Sequence, residues 1–453
     1  MQDKNMARKV FISVLGFTNY GQCIYVKDEY KSASVRFIQE ATLGYLCQKT
    51  DWTVNDVAYV LLTDGAEKAN WNDDGHKNKD TGEILKCEGL QSRLQKMDLP
   101  FDVNTINKLP DGNTEEEIWQ IFERVFDVLK EGDELYFDLT HGFRYLPMLV
   151  MVLINYSKFL KNTSVKSITY GNYESRNRET NEAPIIDLLP LSALQDWTYA
   201  AGQFLDSGNV DKLQLLCNKE LKPILRNAQG TNKDATNLRT FIKHLNEVIS
   251  ERQTCRGMSI IKSENFKKLK GVSEQMDSII IAPLKPIFDK IKQSMIFFDE
   301  NENIRNGFSA AVWCYQNGLL QQSATILQEF VITYICSRHG IKIDDEAKRD
   351  WVTSSFTIKF KNIAKSDWKL SQDTETRIVQ VEYIEKILND DLFSCTDFIN
   401  AFNNLSEVRN DYNHSGMRSK RQPLNHQKIK ENIRKCIDIF ADILYNVKAE
   451  EIC

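Results

Sequence analysis

The sequence predicts an α/β domain followed by two all-helical segments. Three observations carry that reading. Up to about residue 190, short strand-like apolar runs alternate with longer amphipathic ones; after residue 191 no strand-like run recurs; from there on, apolar positions repeat at helical spacing. A chain of 453 residues is long enough for two or three domains with substantial cores. The expected division is 1–190 for the α/β domain, 191–300 for a helical connector and 301–453 for a C-terminal helical domain.

In chain order, residues 9–15 (KVFISVL) read as a buried strand and 34–47 as a helix. A second buried strand follows at 57–62 (VAYVLL), then a polar loop over 64–82. Residues 88–96 and 114–130 read as helices with a strand at 101–106 between them; Ile118, Ile121, Phe122, Val125 and Val128 form one apolar face. Residues 134–139 (ELYFDL) form a strand, 143–160 a helix apolar on nearly every side, and 165–170 and 185–189 finish a parallel sheet. Helices are then expected over 193–205, 210–225, 238–250, 274–298, 309–336, 374–388, 396–411 and 427–447, with a polar break at 226–237. The last repeats Ile433, Cys436, Ile437, Phe440 and Leu444 as a buried stripe.

Composition narrows the function. A net charge of −5 excludes a protein that coats nucleic acid by bulk electrostatics, so any RNA contact needs a local basic patch. The polar start, Met1 to Met6, is no signal peptide, and the longest apolar stretch, 146–154, falls short of the ~20 residues of a membrane helix. A cytoplasmic protein with no membrane partner is expected. The ten cysteines form no CxxC pair and read as reduced thiols; the six histidines show no HxxxH or HExxH spacing, so no metal site is expected.

Near the C-terminus, Glu407 to Gly416 contains R-x4-H: Arg409 and His414. Cutting RNA without a metal needs a group that moves protons near neutral pH, which suits histidine, and a cation on phosphate, which suits arginine's planar fork. The RNA's own 2′-hydroxyl can serve as nucleophile, so none is required from the protein. Five residues of helix advance about 500°, leaving the two side chains roughly 140° apart. They converge only if the helix ends between them, as Asn413, Ser415 and Gly416 allow, or if two copies of the chain meet. An exposed helix end without chemistry is the plain alternative. Arg418, Lys420, Arg421, Lys428 and Lys430 downstream are either an RNA guide or a solvated face.

In the first domain the informative place is beyond the strand ends, where open α/β sheets bind ligands. Asp138, Thr140, His141, Gly142 and Arg144 join strand to helix: free N–H groups there favour an anion, and Gly142 lets backbone approach closely. Gly16, Phe17, Thr18, Asn19 and Tyr20 follow the first strand, Thr63 the second, and Tyr170, Gly171 and Asn172 a later one. Their polar and aromatic side chains suit phosphates and stacked bases. A turn and helix cap is the alternative for Asp138 and Thr140. No GxGxxG or GxxxxGK[ST] is present, which disfavours a dinucleotide dehydrogenase or P-loop ATPase.

Asp138-Leu139-Thr140-His141-Gly142 resembles the DxTHG signature of CRISPR-associated CARF-domain proteins, a resemblance extended over residues 8–190 by Leu15-Gly16 with Tyr20 and Leu62-Thr63 with Ala66, Asn70 and Trp71. The C-terminal segment, with R-x4-H and the run 309–336, resembles the HEPN ribonucleases. Together the chain is similar to ancillary ribonucleases of type III CRISPR systems. The resemblance implies a Rossmann-like CARF domain, a HEPN domain, and a homodimer, with higher oligomers left open. It further implies one cyclic oligoadenylate activator across the two-fold axis, cyclic tetra-adenylate first among the rings, and no cofactor. Arg409 and His414 become the catalytic pair with Asn410 as an orienting neighbour, cutting single-stranded RNA to 2′,3′-cyclic phosphate ends. Residues 191–300 match the family least. The rival readings are a HEPN toxin cutting a particular RNA such as tRNA, and a catalytically silent cyclic-oligoadenylate-binding regulator. Slow cleavage of the activator by the first domain, assisted by Thr63, Thr140 and His141, is a further possibility.

Overall fold

A computed structural model describes residues 7–78, 80–142, 144–229, 231–276, 282–417 and 422–448. The chain forms two compact units, divided between Ala193 and Leu194.

The first unit is built on an eight-stranded, mostly parallel sheet. Its strands are β1 (Lys9–Val14), β2 (Cys23–Lys27), β3 (Tyr30–Val35), β4 (Val57–Thr63), β7 (Asp102–Leu109), β8 (Glu134–Asp138), β9 (Ser164–Gly171) and β10 (Glu182–Asp187); β5 (His76–Lys77) and β6 (Ile84–Leu85) form a separate small hairpin. The order is β3-β2-β10-β9-β8-β1-β4-β7, and the five strands from β9 to β7 run parallel. β10 lies antiparallel to β9, and β3 antiparallel to β2. Every residue of β1 is buried, because the sheet is covered on both faces. Val10, Ile12 and Val14 pack with the helices Glu115–Asp127 and Leu146–Lys161, while Phe11 and Leu15 pack with Leu43, Leu46, Leu90 and Leu94 on the other side.

Two expectations need correction here. The helix expected over 34–47 runs over Ile38–Lys49, and Val35 instead ends β3. β3 is legible only through its pairing with β2, across a turn that holds Asp28 at φ 52°. The polar loop expected over 64–82 is partly ordered: a helical turn at Asp64–Ala66, a π-helical turn at Glu67–Trp71, then the β5–β6 hairpin. Thr63 starts this ordered segment by accepting the Ala66 N–H.

The second unit is all helical among its described residues. One continuous core runs from Trp197 through Phe288 and Phe308 to Phe440, so residues expected as connector and as C-terminal domain share it. The run expected as one helix over 309–336 is two, Arg305–Gln316 and Leu320–Arg338, broken at Gly318 (φ 74°). The polar break shrinks, because Asn232 caps a helix that already starts at Lys233. The helix Glu346–Lys361 was not expected. Its β-branched interior gives a weak period, yet Asp345 caps it and Phe356 stacks on Phe402 at 3.7 Å. Among the described residues no helix is long and apolar enough to cross a membrane.

Candidate functional site

The parallel strands bring the turns after β1, β4, β8 and β9 to one edge of the sheet. Asp138 is wholly buried at the end of β8. Its Oδ2 accepts from Ser13 Oγ at 2.9 Å, and its Oδ1 from Thr140 N at 3.2 Å and Thr140 Oγ1 at 2.5 Å. Thr140 Oγ1 in turn accepts the Gly171 N–H at 2.7 Å, and Gln39 Nε2 donates to Ser13 Oγ and to the Val14 carbonyl. Asp138 and Thr140 therefore fasten β1, β8 and β9 together and hold the turn that follows β8. Burial pushes the Asp138 carboxyl up to about 6, against the pull of the three hydrogen bonds.

His141 stacks on Tyr20 with ring centroids 3.9 Å apart. Its Nε2 is buried without a hydrogen-bond partner, and burial pushes the imidazole down to about 4, which leaves it neutral at pH 7. Burial also pushes the Tyr20 hydroxyl up to about 12. Gly16 makes room for that hydroxyl: a Cβ there would lie 2.4 Å from Tyr20 Oη. Gly142 holds φ 126°, and a Cβ on it would come within 2.8 Å of Leu146 and 3.1 Å of Val14. Phe17 is 61% exposed, with Thr18, Asn19 and Arg144 also exposed. Thr63 spends its hydroxyl on the cap, Tyr170 is half-buried with Gly171 behind it, and Asn172 accepts the Ser175 N–H.

Sequence reasoning named Asn70 only as a mark of the family resemblance, without a role in the site, and did not name Arg36. Asn70, wholly buried, donates to the Gly16 and Thr18 carbonyls at 2.8 Å each. Its own carbonyl accepts from Arg36 Nη2, which also donates to Asn19. These two residues shape the loop after β1. An asparagine just before a buried tryptophan was the one sequence signal; Arg36 carried none.

In the helical unit, the helix Thr396–Asn413 continues past Arg409, and His414 caps it with its N–H on the Asn410 carbonyl. The helix ends only at Asn413, after a full helical turn beyond Arg409, and helical spacing up to that point leaves the two side chains roughly 140° apart within one chain. Arg409 is half-buried: Nη1 lies 3.4 Å from Gln328 Oε1, Nη2 3.9 Å from Glu329 Oε1, and Nε is buried without a partner. His414 and Asn410 are exposed. Lys428 and Lys430 are exposed near the start of His426–Tyr445, whereas Arg418, Lys420 and Arg421 lie outside the described residues. Gln328 and Glu329 were missed as neighbours of Arg409, although two polar residues inside so apolar a helix were the available signal. Among the described residues no cluster of three or more His, Cys, Asp or Glu could hold a metal ion, and the nine described cysteines are free thiols.

Residues 10–174 match the family model described as "CRISPR system endoribonuclease Csx1, CARF domain". A CRISPR-associated protein of Methanocaldococcus jannaschii is 26% identical over 235 residues, 51% of this chain. That alignment spans only 34% of the relative's length. Among solved structures, Enterococcus italicus Csm6 bound to cyclic hexa-2'-fluoro-hexa-dAMP aligns over 98% of this chain and 96% of that chain, at 11% identity and a TM-score of 0.43.

Proposed function

We propose that this chain, whose residues 10–174 match a CARF-domain family model, is a cyclic-oligoadenylate-activated, metal-independent endoribonuclease of type III CRISPR defence. The observation that carries the reading is the pairing, on one chain, of a CARF-model match with a helix that carries Arg409 in its last turns and is capped by His414. The first domain is the sensor. The turn from Asp138 to Arg144 and the loop from Gly16 to Tyr20 form its ligand edge, and His141 Nε2 is a polar atom that a bound ring could satisfy once Tyr20 moves off it. Cyclic tetra-adenylate is the first ring to test.

Residues 301–453 form the HEPN ribonuclease domain in this reading, and residues 191–300 the connector between sensor and nuclease. The unbroken helix Thr396–Asn413 supports a composite site. Since Arg409 and His414 diverge by roughly 140° within one chain, a homodimer is what brings two such pairs around one phosphate. There His414 takes the proton of the RNA 2′-hydroxyl as it attacks phosphorus and returns a proton to the leaving 5′-oxygen. Arg409 stabilises the charge gathering on the phosphoryl oxygens, with Asn410 orienting it.

The test is cleavage of a fluorescent single-stranded RNA in EDTA, with cyclic tetra-adenylate, cyclic hexa-adenylate or no ring, alongside His414→Ala. Ring-dependent cutting that falls by a factor of about 10² or more in the variant is expected. Full activated cutting by His414→Ala would end the mechanism.

A further inference from the structure

Arg409 lines a cavity of about 700 Å³ in the helical unit, bordered by the helices Gly257–Lys262, Leu320–Arg338 and Glu346–Lys361. Small-molecule sites typically enclose about 300–1,000 Å³, so one nucleotide unit fits. The apolar part of the lining comes from Met258, Ile261, Ile326, Phe330 and Ile343. Its charged part sets Glu329, Asp344, Glu346 and Asp350 against Arg349 and Arg409. That excess of carboxylates repels phosphate and favours a group that offers N–H donors.

Both terminal nitrogens of Arg349 are engaged. Nη1 donates to Thr333 Oγ1 at 2.9 Å and to the Ile343 carbonyl at 3.0 Å, and Nη2 to Glu329 Oε2 at 2.7 Å. Glu329 is thereby anchored through one oxygen. The other, Oε1, stands 3.9 Å from Arg409 Nη2, an ion-pair distance too long for a hydrogen bond. The cavity thus holds a fixed, under-used acceptor beside the arginine assigned to phosphate.

We propose that this cavity is a nucleobase subsite for the RNA strand and that Glu329 selects the base, an inference that rests on the ribonuclease reading above. Arg409 keeps the phosphate at the cavity edge while the neighbouring base enters. A carboxylate accepts through both oxygens, each with two lone pairs. Guanine answers it best, because its N1–H and N2–H point the same way from adjacent positions. Adenine and cytosine offer a single amino group there, and uracil a single imino N–H. Glu329→Gln turns one acceptor into a donor and breaks that match.

The experiment cuts a randomised RNA library with the activated full chain and compares wild type with Glu329→Gln. Cleavage beside guanine is expected to exceed that beside other bases by about tenfold or more, and the variant to lose this preference while still cutting elsewhere. The Glu329 side chain is 41% exposed, and the retained cutting reports an intact fold. Absence of any preference in wild type, or the same preference in the variant, overturns the proposal. If no RNA is cut at all, the ribonuclease reading fails separately. The subsite is then judged by fluorescence anisotropy on short 2′-O-methyl oligonucleotides: guanine-dependent binding lost in the variant supports it, and equal binding of all bases overturns it.

Discussion

Asp138 and His141 stand three residues apart, and burial acts on them with opposite sign. The Asp138 carboxyl rises from 3.8 to about 6, so between those values the folded chain holds a proton that the unfolded chain has released. Stability from this group is therefore lost as pH rises through that window. His141 falls from 6.5 to about 4, so the unfolded chain gains a proton that the folded chain refuses. Stability from this group is present above pH 6.5 and lost as pH falls toward 4. In wild type the two slopes oppose each other. Asp138→Asn removes one, and its stability relative to wild type should move in its favour by about 2 kcal/mol between pH 4.5 and pH 7. His141→Gln should move the other way by somewhat less, because His141 keeps some solvent contact. Thermal unfolding of the full chain at pH 4.5 and pH 7 checks both, and pH slopes identical to wild type in both variants would contradict the burial described. The turn was legible in the sequence as a strand end with helix-capping residues. The inward roles of Asp138 and Thr140 were not, because Ser13 and Gly171 reach them directly, and Gln39 through Ser13, from distant positions.

At the scale of elements, long periodic runs were read to within a residue or two: β4, Thr374–Leu388 and the last helix. What was misplaced depends on partners far along the chain, as β3 depends on β2, or on a short break such as Gly318. The helix Leu146–Lys161 is the instructive case. Its sequence is apolar on nearly every side, the pattern of a helix buried all round, yet Met148, Val152, Tyr156 and Phe159 share a bare face, with Phe159 84% exposed. It carries no acidic residue, and its two lysines turn back onto their own chain, Lys158 to Ser192 Oγ and Lys161 to the Phe126 and Leu129 carbonyls. An uncharged face can meet its own copy across a two-fold axis without like-charge repulsion. The helix also begins just after the turn where a symmetric ring would bind. Phe159→Asp is therefore expected to turn a dimer into a monomer in light scattering at micromolar concentration, and to abolish ring-activated cutting with it. A variant that stays dimeric would move the interface elsewhere.

For the whole molecule, the proposed activation of the helical unit by a ring bound to the α/β unit requires that the ring bind the cutting-competent arrangement more tightly than the resting one. Linkage makes that preference reciprocal: whatever factor the ring adds to the affinity for RNA, RNA adds to the affinity for the ring. Binding can be measured without turnover by using a 2′-O-methyl RNA, which lacks the free 2′-hydroxyl, on the otherwise intact chain. Saturating RNA is expected to tighten cyclic tetra-adenylate binding by about 5- to 150-fold, the usual range of such coupling. His141→Ala should weaken ring binding at the sensor end and still respond to RNA by the same factor, since the coupling belongs to the arrangement and not to one contact. A ring affinity unchanged by RNA would mean that the two units act independently, and the ring would then have to control cutting by assembly alone. In that case ring-dependent cutting would vanish at protein concentrations where the dimer is already complete.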